Sequence, residues 1–118
     1  MPNTGVESKF RNMGPLNAKT AAQAASLVVK SRPGILFGFI VYNNNVAAQW
    51  IQIHDAVSLP ANATVPSMVF EIAAQTARSI EFGQYGRTFA VGIVIANSTT
   101  DVTLTTGASD CLIDAQFV

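Results

Sequence analysis

The stretch ILFGFIVY, residues 35–42, decides the fold class. Its residues are apolar β-formers on both alternating sets of positions. Successive side chains of an extended strand point to opposite faces, so this pattern predicts a central strand covered on both sides. Pro33-Gly34 precedes the stretch and Asn43-Asn44-Asn45 follows it, and both are turn signals. The sequence therefore predicts a strand between two turns.

Short alternating segments continue in both directions from this strand. They are residues 27–30, 47–54, 68–72, 79–82, 89–96, 102–104 and 111–117, with a long loop over 55–66. Turn signals recur about every ten residues, which is typical of all-β sandwiches. Only residues 18–25, AKTAAQAA, have helical propensity, and they are too few to form a stable helix alone. The predicted fold is all-β: an antiparallel β-sandwich or jelly roll of about seven or eight strands.

The alternation also predicts which side chains form the core. The inward-facing set is Phe37, Phe39, Ile51, Ile53, Phe70, Ile72, Phe82, Phe89, Val91, Ile93, Ile113 and Phe117. Residues before about 24 are expected to contribute no strand to this core.

Length and composition exclude several classes of protein. The chain has 118 residues, enough for one domain, and seven basic residues balance seven acidic ones. It is therefore not a nucleic-acid binder that works by bulk positive charge. The longest apolar runs are about eight residues, far below the roughly 20 of a membrane helix. The N-terminal residues lack the apolar core of a signal peptide, so export is not expected.

The charges are distributed unevenly along the chain. Residues 1–32 carry five basic side chains and one acidic one, a balance of +4, whereas residues 33–118 carry two and six, a balance of −4. Nine of the ten aromatic residues also follow residue 32. The sequence thus predicts a basic, extended N-terminal arm over 1–26 and a β-sandwich domain over 27–118.

The arm has two interpretations. It is either a disordered tail, which is common at termini, or part of a segment, residues 1–32, that docks on the acidic surface of a neighbouring subunit. Docking would bury apolar side chains and place basic ones against carboxylates. The residues concerned are Lys9, Phe10, Arg11, Met13, Leu16, Lys19, Lys30 and Arg32.

Few residues could support catalysis or bind a metal. His54 and Asp55 are neighbours on an extended chain, so their side chains point to opposite faces and do not form a catalytic pair. Cys111 shares the apolar face of the last strand and is predicted to be buried. The spacing of Asp101, Asp110 and Asp114 does not match a calcium loop. No catalytic residue, metal site or cofactor is predicted, and the protein is not expected to be an enzyme.

Trp50 is the most informative aromatic residue. It shares a strand face with Gln52 and His54, so it is either core or an exposed anchor in an interface. Tyr42 and Tyr85 could join it in one aromatic patch.

Residues 34–118 resemble small virion structural proteins of tailed bacteriophages. The shared features are a segment with Tyr42-Asn43, WIQIHD (50–55), Leu59-Pro60 and Val65-Pro66, followed by one with Phe82, Gly86-Arg87, Phe89, GIVIANST (92–99), Gly107 and DCLIDAQ (110–116). The resemblance does not extend to residues 1–33.

The resemblance implies a non-enzymatic capsid decoration (cement) protein that binds and stabilises the mature head lattice. Its partners would be the major capsid protein or other virion proteins, with no nucleic acid or membrane, and it would form a homo-oligomer such as a trimer. It would be made in the bacterial cytoplasm and reside in the virion. The alternative is a tail, head-fibre or adsorption module that binds a host glycan through Trp50, Tyr42 and Tyr85. A hydrolase built on the sandwich would need His54 or a pair of acids.

Overall fold

The computed structural model describes residues 15–118, and these form two packed antiparallel sheets without a helix. The strands within this range are β1 (Leu16–Lys19), β2 (Ser26–Lys30), β3 (Gly34–Asn43), β4 (Gln49–His54), β5 (Met68–Ile72), β6 (Thr76–Glu81), β7 (Arg87–Phe89), β8 (Ile93–Ser98) and β9 (Cys111–Phe117). The predicted all-β, sandwich-like fold is confirmed. From Pro15 onward no helix is long and apolar enough to cross a bilayer.

The first sheet, sheet A, has the strand order β1-β9-β3-β6, with β7 also paired to β3. The second, sheet B, has the order β2-β8-β4-β5. The strand predicted over 35–42 is β3, and it lies in the interior of sheet A between β9 and the β6 and β7 edge.

A bulge in β3 changes which of its side chains face the core. Leu36 lies opposite Phe117 and Gly38 opposite Gln116, so β3 advances two residues where β9 advances one. Phe37 is the extra residue. Leu36 and Phe39 consequently both point inward and are buried, whereas Phe37 is only half-buried. The prediction that Phe37 lies in the core is wrong because strict alternation does not survive a bulge.

The two sheets meet around three phenylalanine rings. Phe39 of sheet A lies 5.8 Å, centroid to centroid, from Phe70 of sheet B in an edge-to-face arrangement. Phe82 completes the cluster at 6.3 Å from Phe39 and 6.5 Å from Phe70. These distances are in the favourable range for aromatic pairs. Other predicted core residues are buried, namely Ile51, Ile53, Ile72, Phe89, Ile93 and Ile113, and Phe117 packs against them.

The chain crosses from sheet A to sheet B between Phe89 and Ile93. The Asp55 carboxylate accepts hydrogen bonds from the backbone N–H groups of Val91 (2.8 Å), Gly92 (3.1 Å) and Ala90 (3.3 Å). Desolvation opposes ionisation, but these bonds, led by the one from Gly92, outweigh it and lower the pKa of Asp55 below its usual 3.8. Asp55 therefore holds this crossing in place.

The crossing interrupts the strand predicted over 89–96. Val91 lies within it and is 47% exposed, so the prediction that Val91 is a core residue is wrong. Gly92 passes so close to other backbone that an added Cβ would overlap the Ala56 carbonyl and lie 2.9 Å from the Lys30 carbonyl oxygen. Only glycine fits this close approach.

Strands begin earlier in the chain than predicted. Leu16–Lys19 forms β1 and pairs antiparallel with β9, and Ala24 bridges to Cys111. The expectation that residues before about 24 contribute no strand is therefore wrong. The weak helical propensity of residues 18–25 is overridden because β9 offers an unpaired edge.

The segment 102–104 is not a strand but part of a loop that packs over the outer face of sheet B. Backbone hydrogen bonds join Leu104 N to Thr64 O (2.8 Å) and Ala63 N to Leu104 O (2.7 Å). Leu104 is fully buried under this loop. The position is apolar because Leu104 is buried under the loop, and not because the segment alternates as a strand does.

Substitutions at Phe89 and Val91 test the crossing directly. Phe89→Ala should lower the free energy of unfolding by roughly 3–5 kcal/mol because Phe89 fills the core. Val91→Ala should change it by less than about 0.5 kcal/mol because Val91 is exposed. Urea denaturation measures both. Equal losses for the two variants would mean that residues 89–93 run as one continuous inward-facing strand.

Candidate functional site

Buried amide side chains tie the two sheets together at one end of the sandwich. Asn43, the last residue of β3, donates through Nδ2 to the carbonyls of Ala47 (3.0 Å), Ala73 (3.1 Å) and Ile72 (3.2 Å). Its Oδ1 accepts from Gln49 Nε2 at 2.7 Å. Since Asn43 belongs to sheet A and Gln49 to sheet B, this bond joins the sheets.

The network continues through Asn97 to Asp110. Asn97 Nδ2 donates to Gln49 Oε1 (2.7 Å), to Ala108 O (3.1 Å) and to Asp110 Oδ1 (3.3 Å). Asp110 also accepts from Asn45 Nδ2 and from Gln49 Nε2. An added Cβ at Gly107 would lie 2.6 Å from Asn97 Nδ2, so glycine is needed there. Apart from Asn97 Oδ1, which has no partner, the buried polar atoms of these side chains bond to one another and to the backbone.

The Asn43 network can be tested by removing its centre. Asn43→Ala should destabilise the protein by about 1–3 kcal/mol or more, because it leaves buried carbonyls and Gln49 without partners. Asn44→Ala, at the exposed neighbour, should be close to neutral. Thermal melting of both variants provides the measurement. Two similarly mild effects would show that the network contributes little to stability.

His54 is buried beneath the loop 99–106 rather than exposed in a cleft. Gln52 Nε2 donates to the carbonyls of Thr100 (3.0 Å) and Thr103 (3.1 Å), so its Oε1 faces His54 Nε2 at 2.9 Å as an acceptor. His54 therefore carries its proton on Nε2 and donates it to Gln52. Burial lowers the pKa of His54 below its ordinary 6.5, since the charged form is desolvated. This histidine is a structural donor.

The buried His54 predicts a pH dependence of stability. Because its folded pKa is below 6.5, the unfolded state binds the proton more tightly, and stability is full above 6.5 and declines as the pH falls through the folded value. Asp55 loses its contribution only below 3.8, so the window between pH 7 and 5 isolates His54. His54→Gln should have a flatter profile in urea unfolding over this window. An unchanged slope in the variant would contradict the assignment.

The other candidate catalytic and metal-binding groups lie apart. Asp110 belongs to the amide network, Asp114 lies on the outer face of sheet A, and Asp101 lies in the loop over sheet B. No group of three or more His, Cys, Asp or Glu side chains with metal-ligand geometry occurs in residues 15–118. Burial, and then the neighbouring Asp110, raise the pKa of the Cys111 thiol to about 12. Such a thiol is unreactive at neutral pH.

The three aromatic residues expected to share a patch are separated. Trp50 alternates with the buried Ile51 of β4 and lies half-buried on the outer side of sheet B. Tyr42 alternates with the buried Val41 of β3 on the outer side of sheet A. Tyr85 is exposed in the turn between β6 and β7. A single aromatic platform made from all three is therefore wrong, because Trp50 and Tyr42 lie on opposite sides of the sandwich.

Half of the predicted partner-binding arm residues belong to the sandwich itself. Leu16 and Lys19 lie in β1, with Lys19 opposite Asp114 of β9. Lys30 ends β2 and is half-buried, and Arg32 is exposed in the turn that follows. Lys9, Phe10, Arg11 and Met13 lie outside the described residues. Whether any of these residues binds a partner stays a prediction.

Two surfaces were not identified from the sequence. The first, here named the valine surface, consists of Val65, Val69 and Val102, which surround a shallow depression beside Met68 and Asp101. All three valines are exposed, and Val102 is 71% exposed. Loops 55–67 and 99–106 bring them together, and no alternation pattern could have revealed this.

The second surface, here named the outer groove, lies on sheet A. It is a groove of about 400 Å³ whose lining includes Pro15, Phe37, Gly38, Ile40 and Glu81. A depression of about 350 Å³ that also contains Ile40 adjoins it, and its lining includes Lys19, Tyr42, Leu112 and Asp114. β3 was predicted to be covered on both faces, but Ile40 on its outer face is 47% exposed.

Comparisons with protein-family models, with curated proteins and with solved structures found no match.

Proposed function

We propose that this chain is a non-enzymatic virion structural protein of tailed bacteriophages, a decoration protein that binds and stabilises the mature head lattice. The observation that carries the proposal is the valine surface, an exposed apolar patch held on loops that are pinned by backbone bonds and by Gln52. An apolar patch with little charge is suited to being covered by another protein. His54 is buried and bonded to Gln52, and burial raises the pKa of the Cys111 thiol, so both side chains favour a non-catalytic role.

We further propose that the sandwich is a jelly roll. The pairs β1–β9, β2–β8, β3–β6 and β4–β5 are those made when one long antiparallel hairpin is rolled up. The pairs β3–β9 and β4–β8 then close the two sheets. In this interpretation β7 is an added edge strand. Jelly rolls are a common architecture of viral capsid domains, which supports the proposed setting.

The proposed mechanism needs no reacting group. A protein that binds only the mature lattice stabilises that lattice by mass action. Each contact can be weak, because a homo-oligomer that bridges several lattice positions binds with avidity. The buried thiol of Cys111 suits folding in the reducing bacterial cytoplasm before incorporation into the virion. The partner is the major capsid protein or another virion protein.

Binding of a host glycan is less well supported. Stacking of sugars needs aromatic faces grouped on one surface, and Trp50 and Tyr42 lie on opposite sides of the sandwich. Each of the three aromatic residues, Trp50, Tyr42 and Tyr85, remains proposed to contribute to a protein interface on its own.

Cosedimentation with purified mature heads tests the proposed function. Wild-type protein should pellet with heads, and Val102→Asp should bind about tenfold or more weakly, because a carboxylate would be buried in the contact. Val46→Asp is the matched control: Val46 is 85% exposed in the loop between β3 and β4, away from the valine surface, and this variant should bind normally.

The two possible failures differ. If the wild-type protein does not pellet with heads, the proposed function is wrong. If both Asp variants bind like the wild type, the function stands and the valine surface is not the contact.

A further inference from the structure

We propose that the free edge of β6 is a contact between two copies of this chain. The two β6 strands pair antiparallel and join the two A sheets into one continuous sheet. The contact has two-fold symmetry, unlike the trimer that the resemblance implied. It does not depend on the proposed function, and it identifies the surface through which the chain forms a homo-oligomer.

The backbone of β6 has unused hydrogen-bonding groups along its outer side. β6 pairs with β3 in a regular antiparallel register, and Phe82 N donates to Phe37 O at 2.9 Å. Hydrogen-bonded pairs alternate along such a ladder, so Ile80, Arg78 and Thr76 also direct their backbone N–H and C=O groups to β3. The backbone groups of the residues between them point away from β3 and have no partner within residues 15–118. These residues are Ala77, Ser79 and Glu81.

The other sheet edges are blunted, as is usual in native proteins. β1 has four residues and β7 has three. β2 is bulged between Val28 and Lys30. On β5, the Glu71 carbonyl accepts a bond from Arg78 Nη1 at 2.8 Å, and the same guanidinium lies over the Phe70 ring. β6 has six residues, a continuous register and neither proline nor lysine, so among the described strands it is the one open to pairing.

The sequence of β6 fits a reversed copy of itself in one register. When Ser79 lies opposite Ser79 of the second copy, Ala77 lies opposite Glu81, and each of these pairs exchanges two backbone bonds, about six in all. Centring the contact on Arg78 or on Glu81 would instead oppose two like charges directly. Centring it on Ala77 or Ile80 would leave fewer of the outward residues within the paired strands. The register centred on Ser79 therefore gives the most bonds and opposes no like charges.

The two-fold axis of this contact orients both copies alike. Antiparallel pairing within one sheet places the axis perpendicular to that sheet, so both copies turn sheet B to the same side. The valine surface lies on β5 and on the loops over sheet B, so the two valine surfaces of a dimer face the same way. A contact between two short strands is small and weak. Binding of both valine surfaces to one particle would reinforce it by avidity.

A charge series at the exposed Ala77 tests the contact and its register. Ala77→Glu places a carboxylate opposite Glu81 of the second copy, twice in each dimer, and should raise the dimer dissociation constant by about threefold or more. Ala77→Lys should lower the dissociation constant, and Ala77→Glu combined with Glu81→Lys should restore it. Sedimentation velocity over a concentration series measures the association, and thermal melting confirms that each variant is folded.

A proline substitution tests the backbone bonds themselves. Ser79→Pro removes the central outward N–H without taking a bond from β3, and edge strands tolerate proline where the N–H faces outward. It should abolish dimerisation, whereas the matched Ser79→Thr should leave it intact. If Ser79→Pro does not fold, the Ala77 series decides alone.

Three results would overturn the proposal. The first is a wild-type protein that stays monomeric at every concentration. The second is a dimer whose dissociation constant is the same in all the folded variants, because the contact would then lie elsewhere. The third is slow hydrogen exchange of the Ser79 amide in a monomer, because another part of the same chain would then cover the edge of β6.

Discussion

The hydrogen bond between Asn43 and Gln49 is the contact on which the arrangement of the two sheets depends. It joins the end of β3 in sheet A to the start of β4 in sheet B at 2.7 Å, in a fully buried position. Asn97 and Asp110 extend it to β8 and to the start of β9. A buried polar group without a partner is costly, and this placement of the four elements pairs nearly all of their buried amide and carboxyl groups. Asn97 Oδ1 is the only buried side-chain oxygen or nitrogen in residues 15–118 that lacks a partner.

The register of the core follows from that placement. With β3 and β4 fixed at one end, Phe39 and Phe70 meet across the sheets. At the other end of β4, Asp55 holds the crossing at 90–92, which sends the chain from sheet A to sheet B. Two sets of polar bonds therefore lie at the two ends of β4, and they join amides, the carboxylates of Asp55 and Asp110, and backbone groups rather than ion pairs.

Alternation was sufficient to predict an all-β chain and the inward faces of β4, β5 and β9, because these faces follow a period of two without interruption. It failed where the backbone departs from regular geometry. The bulge at Phe37 and the crossing at Val91 each change which side chains face the core. The crossing depends on hydrogen bonds to Asp55, which is distant in sequence. β1 could not be predicted from its own residues, because Leu16–Lys19 forms a strand by pairing with β9 and not through its own propensity.

The candidate surfaces were harder to predict than the fold. Individual residues such as Trp50 and Tyr42 could be singled out, but their grouping depends on which sheet each strand joins, and that was not readable from spacing. The valine surface is assembled from two loops and a strand that are far apart in sequence. The apolar run of β3 predicted that both of its faces are covered, but in residues 15–118 its outer face is open at Ile40, which is 47% exposed.

The proposed function assigns the valine surface to a contact with other proteins of a virion. The most direct measurement is electron microscopy of purified phage particles that carry a tagged copy of this chain, with the tag labelled. A decoration protein predicts label distributed regularly over the mature head and absent from unexpanded heads. Label confined to the tail or its fibres, or particles without label, would contradict the account.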